Sequence, residues 1–243
     1  MRMVHRRTRV AAALVAVVLM VACGDDEESS APDTTVAPTT TLSQIQLDEQ
    51  KAQRVVLTEA DLPGYTIDPP DPADETSPEG LAALNACGNN DPLFVQLDKD
   101  DDPRGATSPS FSKGDTITVG SSVTFGDNED QAKATMTAVS AAPFPTCLSR
   151  ALTAELRRDP AWTNVTVSTT KLPAVTAGDQ AVGYRSTVRA RVGGTAVTFY
   201  ADTIFIRSGR AIASVDISSV GAVFPEAERT RLVTAVAGRM AAP

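Results

Sequence analysis

With 243 residues, 42% of them hydrophobic, and a formal net charge of −8, the chain is long enough for one sizeable core and too acidic to draw nucleic-acid phosphate. Its single histidine is His5 and its three cysteines are Cys23, Cys87 and Cys147. With no other histidine in the chain, Ser-His-Asp and Cys-His hydrolysis, His-ligated zinc and histidine pH switches are excluded for the rest of it.

The first 22 residues read as a signal peptide. Arg2, Arg6, Arg7 and Arg9 precede an apolar run from Val10 to Ala22, and Val21-Ala22-Cys23 follows with Gly24-Asp25-Asp26 beyond. The run is thirteen residues, short of the ~20 a spanning helix needs. A basic segment, an apolar segment and small residues before the cut are the parts of a secretory signal. The spacing resembles a bacterial lipobox, with Met20 where Leu, Val or Ile is usual, so Cys23 is the expected lipidation site and first mature residue. Removing the four arginines takes the net charge from −8 to −12, which sets the mature chain against anionic headgroups. Residues 23–43, rich in Asp, Glu, Ser, Thr and Pro, are expected to form a disordered acidic tether, because they hold too little apolar surface to offset ordering entropy.

Residues 44–243 are expected to fold as one α+β domain, an antiparallel β-sheet with amphipathic helices packed against it. Ser43 caps a polar helix running to Arg54, and Thr58 to Tyr65 forms a capped turn. The run from Asp68 to Glu75 is an acidic loop. Ser77 and Pro78 then suit the N-cap and first position of a helix to Ala86, with Cys87 at its end and Gly88 as the stop. Asp115 to Phe125 alternates as a strand, and Asp127 with Asp130 opens a helix to about Ala141. The next helix, after Pro143-Phe144-Pro145, sets Leu148, Leu152 and Leu156 on one stripe and carries Cys147 in its first turn. Three strands follow, Val182–Val192, Thr195–Arg207 and Arg210–Ser218, joined by the hairpin signals Gly193-Gly194 and Ser208-Gly209. Read literally, the first hairpin puts Arg185 opposite Asp202. A closing helix runs from Pro225 with Leu232, Val233, Val236 and Met240 on one face.

With Cys23 taken by lipid, Cys87 and Cys147 form an even pair in an exported domain, which reads as a disulfide. Closing a loop of that length stabilises a fold by about 4 kcal/mol in the chain-entropy model. Asp98, Asp100 and Asp102 open like a calcium loop. However, Pro103 stands where the turn needs Gly and Pro109 where it needs the bidentate Glu, so the run reads as a solvated acidic turn. No metal or cofactor is expected. Arg185, Arg189 and Arg191 share one strand face, either a grip for carboxylate or phosphate or the wet side of a half-covered sheet. Trp162, the only tryptophan, is either a sugar or lipid contact or an anchor at the rim of the core.

The lipobox, the segment LTEADLPGY, the helix start Phe144-Pro145-Thr146-Cys147-Leu148 and the hairpins before a terminal helix resemble small actinobacterial cell-envelope lipoproteins. Among these are relatives of the extracellular sensor domain of receptor serine/threonine kinases and the PsbP-like LpqN lipoproteins. The sensor domains carry two disulfides where this chain can form one. The expected anchor, the flexible tether, the disulfide and the absence of histidine beyond His5 point to a non-enzymatic, lipid-anchored protein on the extracytoplasmic face of the cell membrane. Such a protein is held to the bilayer through acylated Cys23 and works as a ligand-binding or sensor-like module for a small molecule or an envelope protein, with no nucleic-acid partner. The alternatives are a scaffold for an envelope enzyme or transporter and, less favoured, a carboxylate-dependent hydrolase.

Overall fold

The computed structural model describes residues 42–69, 77–97 and 102–242. The signal segment, Cys23 and almost all of the tether lie outside them, as do Asp98, Asp100 and most of the acidic loop. Six helices and eight strands are found among the described residues: α1 Gln44–Val55, β1 Thr66–Ile67, α2 Pro78–Cys87, α3 Pro92–Leu97, β2 Gly105–Thr107, β3 Phe111–Lys113, β4 Ile117–Phe125, α4 Glu129–Ser140, α5 Phe144–Leu156, β5 Trp162–Lys171, β6 Gln180–Val192, β7 Thr195–Ser208, β8 Ala211–Val220 and α6 Glu226–Ala241. Every strand pairing is antiparallel, in the order β1-β3-β4-β8-β7-β6-β5, with β2 also on β4. The fold is a single α+β domain.

The local chemistry explains most of these boundaries. Ser43 and Gln46 close a reciprocal capping box at the start of α1. Thr58 and Asp61 do the same around a short 3₁₀ turn, Glu59–Asp61. Gly193 and Gly194 both take positive φ (55° and 85°), the conformation a two-residue hairpin of matching twist requires. That turn fixes the β6–β7 register and brings Arg185 opposite Asp202.

Three local expectations shift. The cap of α4 is Asn128, which accepts from the Gln131 N–H; Asp127 instead pairs with Arg104. The β7–β8 loop is Gly209-Arg210, since Ser208 still pairs with Ala211 and Gly209 takes the positive φ of 56°. Gly88 ends α2 at φ −80°, and Asn89 and Asn90 carry the left-handed turn. Glycine is needed at 88 for another reason: a Cβ there would fall on the Phe94 ring. The short elements α3, β1, β2 and β3 carry no periodic signal in the sequence.

Both faces of the central strands are covered. On one face α1 and α6 bury Leu232, Val233, Val236 and Met240 against Ile204, Ile206, Val215 and Ile217. On the other, α3, α4 and α5 pack Leu93, Phe94, Met136 and Phe144 against Val182, Tyr184, Phe205 and Ile212. The Leu148-Leu152-Leu156 stripe is only half-buried. A smaller cluster of Val165, Val188 and Ala190 gathers at the β5–β6 end.

Under α6 sits a buried charge. Asp202 is 2% exposed and accepts from Arg185 Nε and Nη2 at 2.6 Å each and from Arg229 Nη1 at 3.1 Å. Two guanidiniums on one carboxylate tie β6, β7 and α6 together. Removing the carboxylate strands buried positive charge, which destabilises a fold by about 3–5 kcal/mol. Asp202→Ala is therefore expected to lower unfolding stability by about that amount in urea titration, whereas a change near zero would mean that water already compensates the guanidiniums.

Candidate functional site

The residues singled out from the sequence separate. Cys87 and Cys147 are disulfide-bonded, with Cα atoms 5.4 Å apart, and join the end of α2 to the first turn of α5. Arg185 is committed to Asp202 under α6. Arg189 and Arg191 lie further along the same strand face and are exposed, and Arg191 Nε donates to the Gly194 carbonyl at 3.0 Å. Trp162 opens β5 and packs, half-buried, against the smaller cluster of Val165, Val188 and Ala190. Asp102 accepts from the Arg104 N–H at 3.0 Å and from the Thr124 hydroxyl. Among the described residues no cluster of three or more His, Cys, Asp and Glu has metal-binding geometry, and no helix is long and apolar enough to cross a membrane.

A cavity of about 160 Å³ lies between the sheet and the helices of the second face. Its roof is Leu84 of α2, Phe94 of α3, and Phe144, Leu148 and Leu152 of α5. The floor comes from alternate residues of three adjacent strands: Ser186 of β6, Ala201, Thr203 and Phe205 of β7, and Ser214 and Asp216 of β8. Alternation places all of these on one side of the sheet. The rings at one end are well packed, with Phe144 5.1 Å from Tyr184 and 5.9 Å from Phe205, centre to centre. Tyr184 donates its hydroxyl to the Val139 carbonyl at 2.7 Å.

The floor is polar where a two-sided buried sheet should be apolar. Asp216 Oδ1 accepts from the Thr203 hydroxyl at 2.7 Å, and Oδ2 accepts from the Ser214 hydroxyl at 2.6 Å. Ser214 also meets the Ser122 hydroxyl of β4 at 3.0 Å. On the β6 side, the Ser186 and Thr169 hydroxyls are 2.8 Å apart, and Ser149 of α5 donates to Thr169 at 2.9 Å. Among the residues lining the cavity, Asp216 is the only charged one. Burial raises its carboxyl above the ordinary aspartate value, against the pull of the two hydroxyl hydrogen bonds.

α2 closes the cavity and is held mainly at its ends. At its start, the Glu155 carboxylate accepts from the Ser77 N–H (2.9 Å) and the Ser77 hydroxyl (2.7 Å), which holds Glu155 below its usual carboxylate value. Arg158 adds a hydrogen bond to Glu79 at 2.7 Å. At its end stands the disulfide. A broader hollow of about 660 Å³ lies beside the same bridge, between α4 and α5. Most of its lining, such as Ala134, Ala141 and Pro143, is exposed, and the buried polar row does not face it. The smaller cavity is the candidate site, because apolar walls with a few converging polar groups are what a binding pocket needs.

None of the cavity's polar floor is evident from local sequence. The alternation Ser214-Asp216-Ser218 is visible, but it reads as the wet face of an ordinary strand until β8 is known to lie inside the sheet. No protein-family model matches the chain, and no curated protein does.

The raised Asp216 carboxyl has a measurable consequence. The unfolded chain gives up this proton at a lower pH than the folded one. Across the interval from the ordinary aspartate value up to the raised one, this group's contribution to stability therefore falls as pH rises. Asp216→Asn is expected to raise the urea midpoint at pH 7, with the gain shrinking on acidification below the ordinary carboxylate range. A midpoint lowered at pH 7 would show that the ionised carboxyl stabilises the floor.

Proposed function

We propose that this chain is a lipid-anchored lipoprotein of the extracytoplasmic membrane face whose domain captures a small, mainly apolar ligand between its sheet and helices. The observation that carries the binding part is the cavity, with an apolar roof over a hydroxyl- and carboxyl-bearing floor. Its volume is close to the ~150 Å³ of an engineered apolar cavity that takes up benzene. It suits one ring, or the end of a longer molecule whose remainder emerges from the mouth.

The anchor rests on the sequence around Cys23. Two acyl chains on one cysteine hold a protein to a bilayer where one chain binds marginally. The acidic segment that follows suits a solvated spacer, which keeps an acidic domain off anionic headgroups. The cysteine pair supports the same compartment, since structural disulfides persist where the surroundings are oxidising.

Expression in a bacterium tests both parts. Wild-type protein is expected in the membrane fraction with palmitate label incorporated, and Cys23→Ser in the soluble extracytoplasmic fraction without label. Equal fractionation of the two would remove the anchor from the account. Native mass spectrometry of the soluble variant is expected to show a recurrent small-molecule adduct that disappears when Ala201→Leu fills the floor. An adduct unchanged by that substitution would place binding elsewhere.

A further inference from the structure

We propose that the cavity selects a ligand carrying a protonated amine on a compact apolar group, with the ammonium seated against Asp216. This rests on the reading of the cavity as a binding site and names the chemistry that site prefers.

The charge inventory gives the sign. Asp216 is the only charged residue of the lining, and no arginine or lysine faces it there. Elsewhere in this sheet a buried carboxylate is neutralised: Asp202 holds two guanidiniums. At Asp216 the partners are two neutral hydroxyls. A carboxylate has about four acceptor positions. Thr203 and Ser214 take one on each oxygen, which leaves two for a ligand. Both hydroxyls already donate inward, so a further ligand donor completes the set, and an ammonium brings three donors with the matching charge. An anionic ligand would put like charges side by side in a low-dielectric site. A neutral alcohol brings a single donor and no charge.

The sheet leaves space beside this carboxyl. In the register, Asp216 stands between Thr203 of β7 and Gly120 of β4. Thr203 supplies one of the hydrogen bonds; Gly120 supplies no side chain, and a Cβ built there has as its nearest neighbour the Ser108 hydroxyl, 4.0 Å away. The β4 side of Asp216 thus carries no side chain; along that face of β4, Ser122 and Thr124 are buried and Thr118 is exposed. The burial that raises the Asp216 carboxyl is the same desolvation that an incoming cation relieves.

The test uses three probes that share one ring and differ in the head group: benzylamine, benzyl alcohol and benzoate. Each is titrated calorimetrically into full-length protein in matched detergent. Asp216→Asn is run alongside, so that partition into the micelle cancels between proteins. Benzylamine is expected to bind about tenfold tighter than benzyl alcohol, the difference between a charge-assisted and a neutral hydrogen bond, with benzoate weakest. Asp216→Asn is expected to abolish that preference while leaving benzyl alcohol unchanged. Gly120→Val, a β-branched residue on a strand with open space at its Cβ, is expected to weaken benzylamine with the carboxyl intact, and it serves if the Asn variant fails to fold. Equal binding of amine and alcohol, or a preference that survives Asp216→Asn, overturns the amine assignment and leaves the cavity reading standing. Absence of binding by all three overturns both.

Discussion

The cavity depends on how α2 is held. This helix buries little: of its ten residues only Gly80 is fully buried, so hydrophobic packing offers weak anchorage. Polar and covalent contacts at its two ends take that role. The Glu155 carboxylate grips Ser77 at the start, and the Cys87–Cys147 bond fixes the end. Gly80 lets Glu155 in, since a Cβ there would collide with the carboxylate. Between these points Leu84 faces the sheet without filling the space beneath it, and the unfilled space is the cavity. A helix pressed down by its own apolar face would have closed it.

Two carboxylates on opposite faces of the sheet, Asp202 buried and Asp216 half-buried, show what separates a structural charge from a site. Asp202 and its two arginines form a completed ion cluster that joins three elements. Among the described residues Asp216 has hydroxyl partners alone, and burial raises its carboxyl against their pull. A half-buried carboxyl with neutral partners is the kind of local inconsistency that gathers at functional positions. The helices above match this division: α6 sends Arg229 to Asp202, whereas α2, α3 and α5 send only leucines, phenylalanines and a disulfide toward Asp216.

What was legible in the sequence was what local chemistry decides. The Ser43 cap, the Gly193-Gly194 turn, the Arg185–Asp202 pairing and the apolar face of α6 each depend on residues close in sequence or on one turn. The cysteine pairing followed from parity and the expected, exported compartment. Small displacements arose where two neighbours compete for one task, as Asp127 and Asn128 do for the α4 cap. The six-residue α3 and the two- and three-residue strands are too short for periodicity to register. The site was hidden for a deeper reason. Its floor joins Ser186, Thr203 and Asp216 across three strands, and its open flank is a glycine on a fourth that is distant in sequence. The order β4-β8-β7-β6 is a tertiary fact. Arg189 and Arg191, the most conspicuous cations on β6, lie on the opposite face of the sheet from Asp216.

The most direct test of this account is amide hydrogen exchange, resolved by segment, with and without a mild reductant. If end contacts hold α2 in place, cutting the disulfide opens that helix locally, because stability is not uniform across a fold. The prediction is faster exchange over residues 78–88 on reduction, with β6, β7 and β8 as protected as before. Unchanged protection in α2 would show that burial holds it after all. Loss of protection across the whole sheet would show that the bond supports the entire core, and either result would contradict the account of the cavity wall given above.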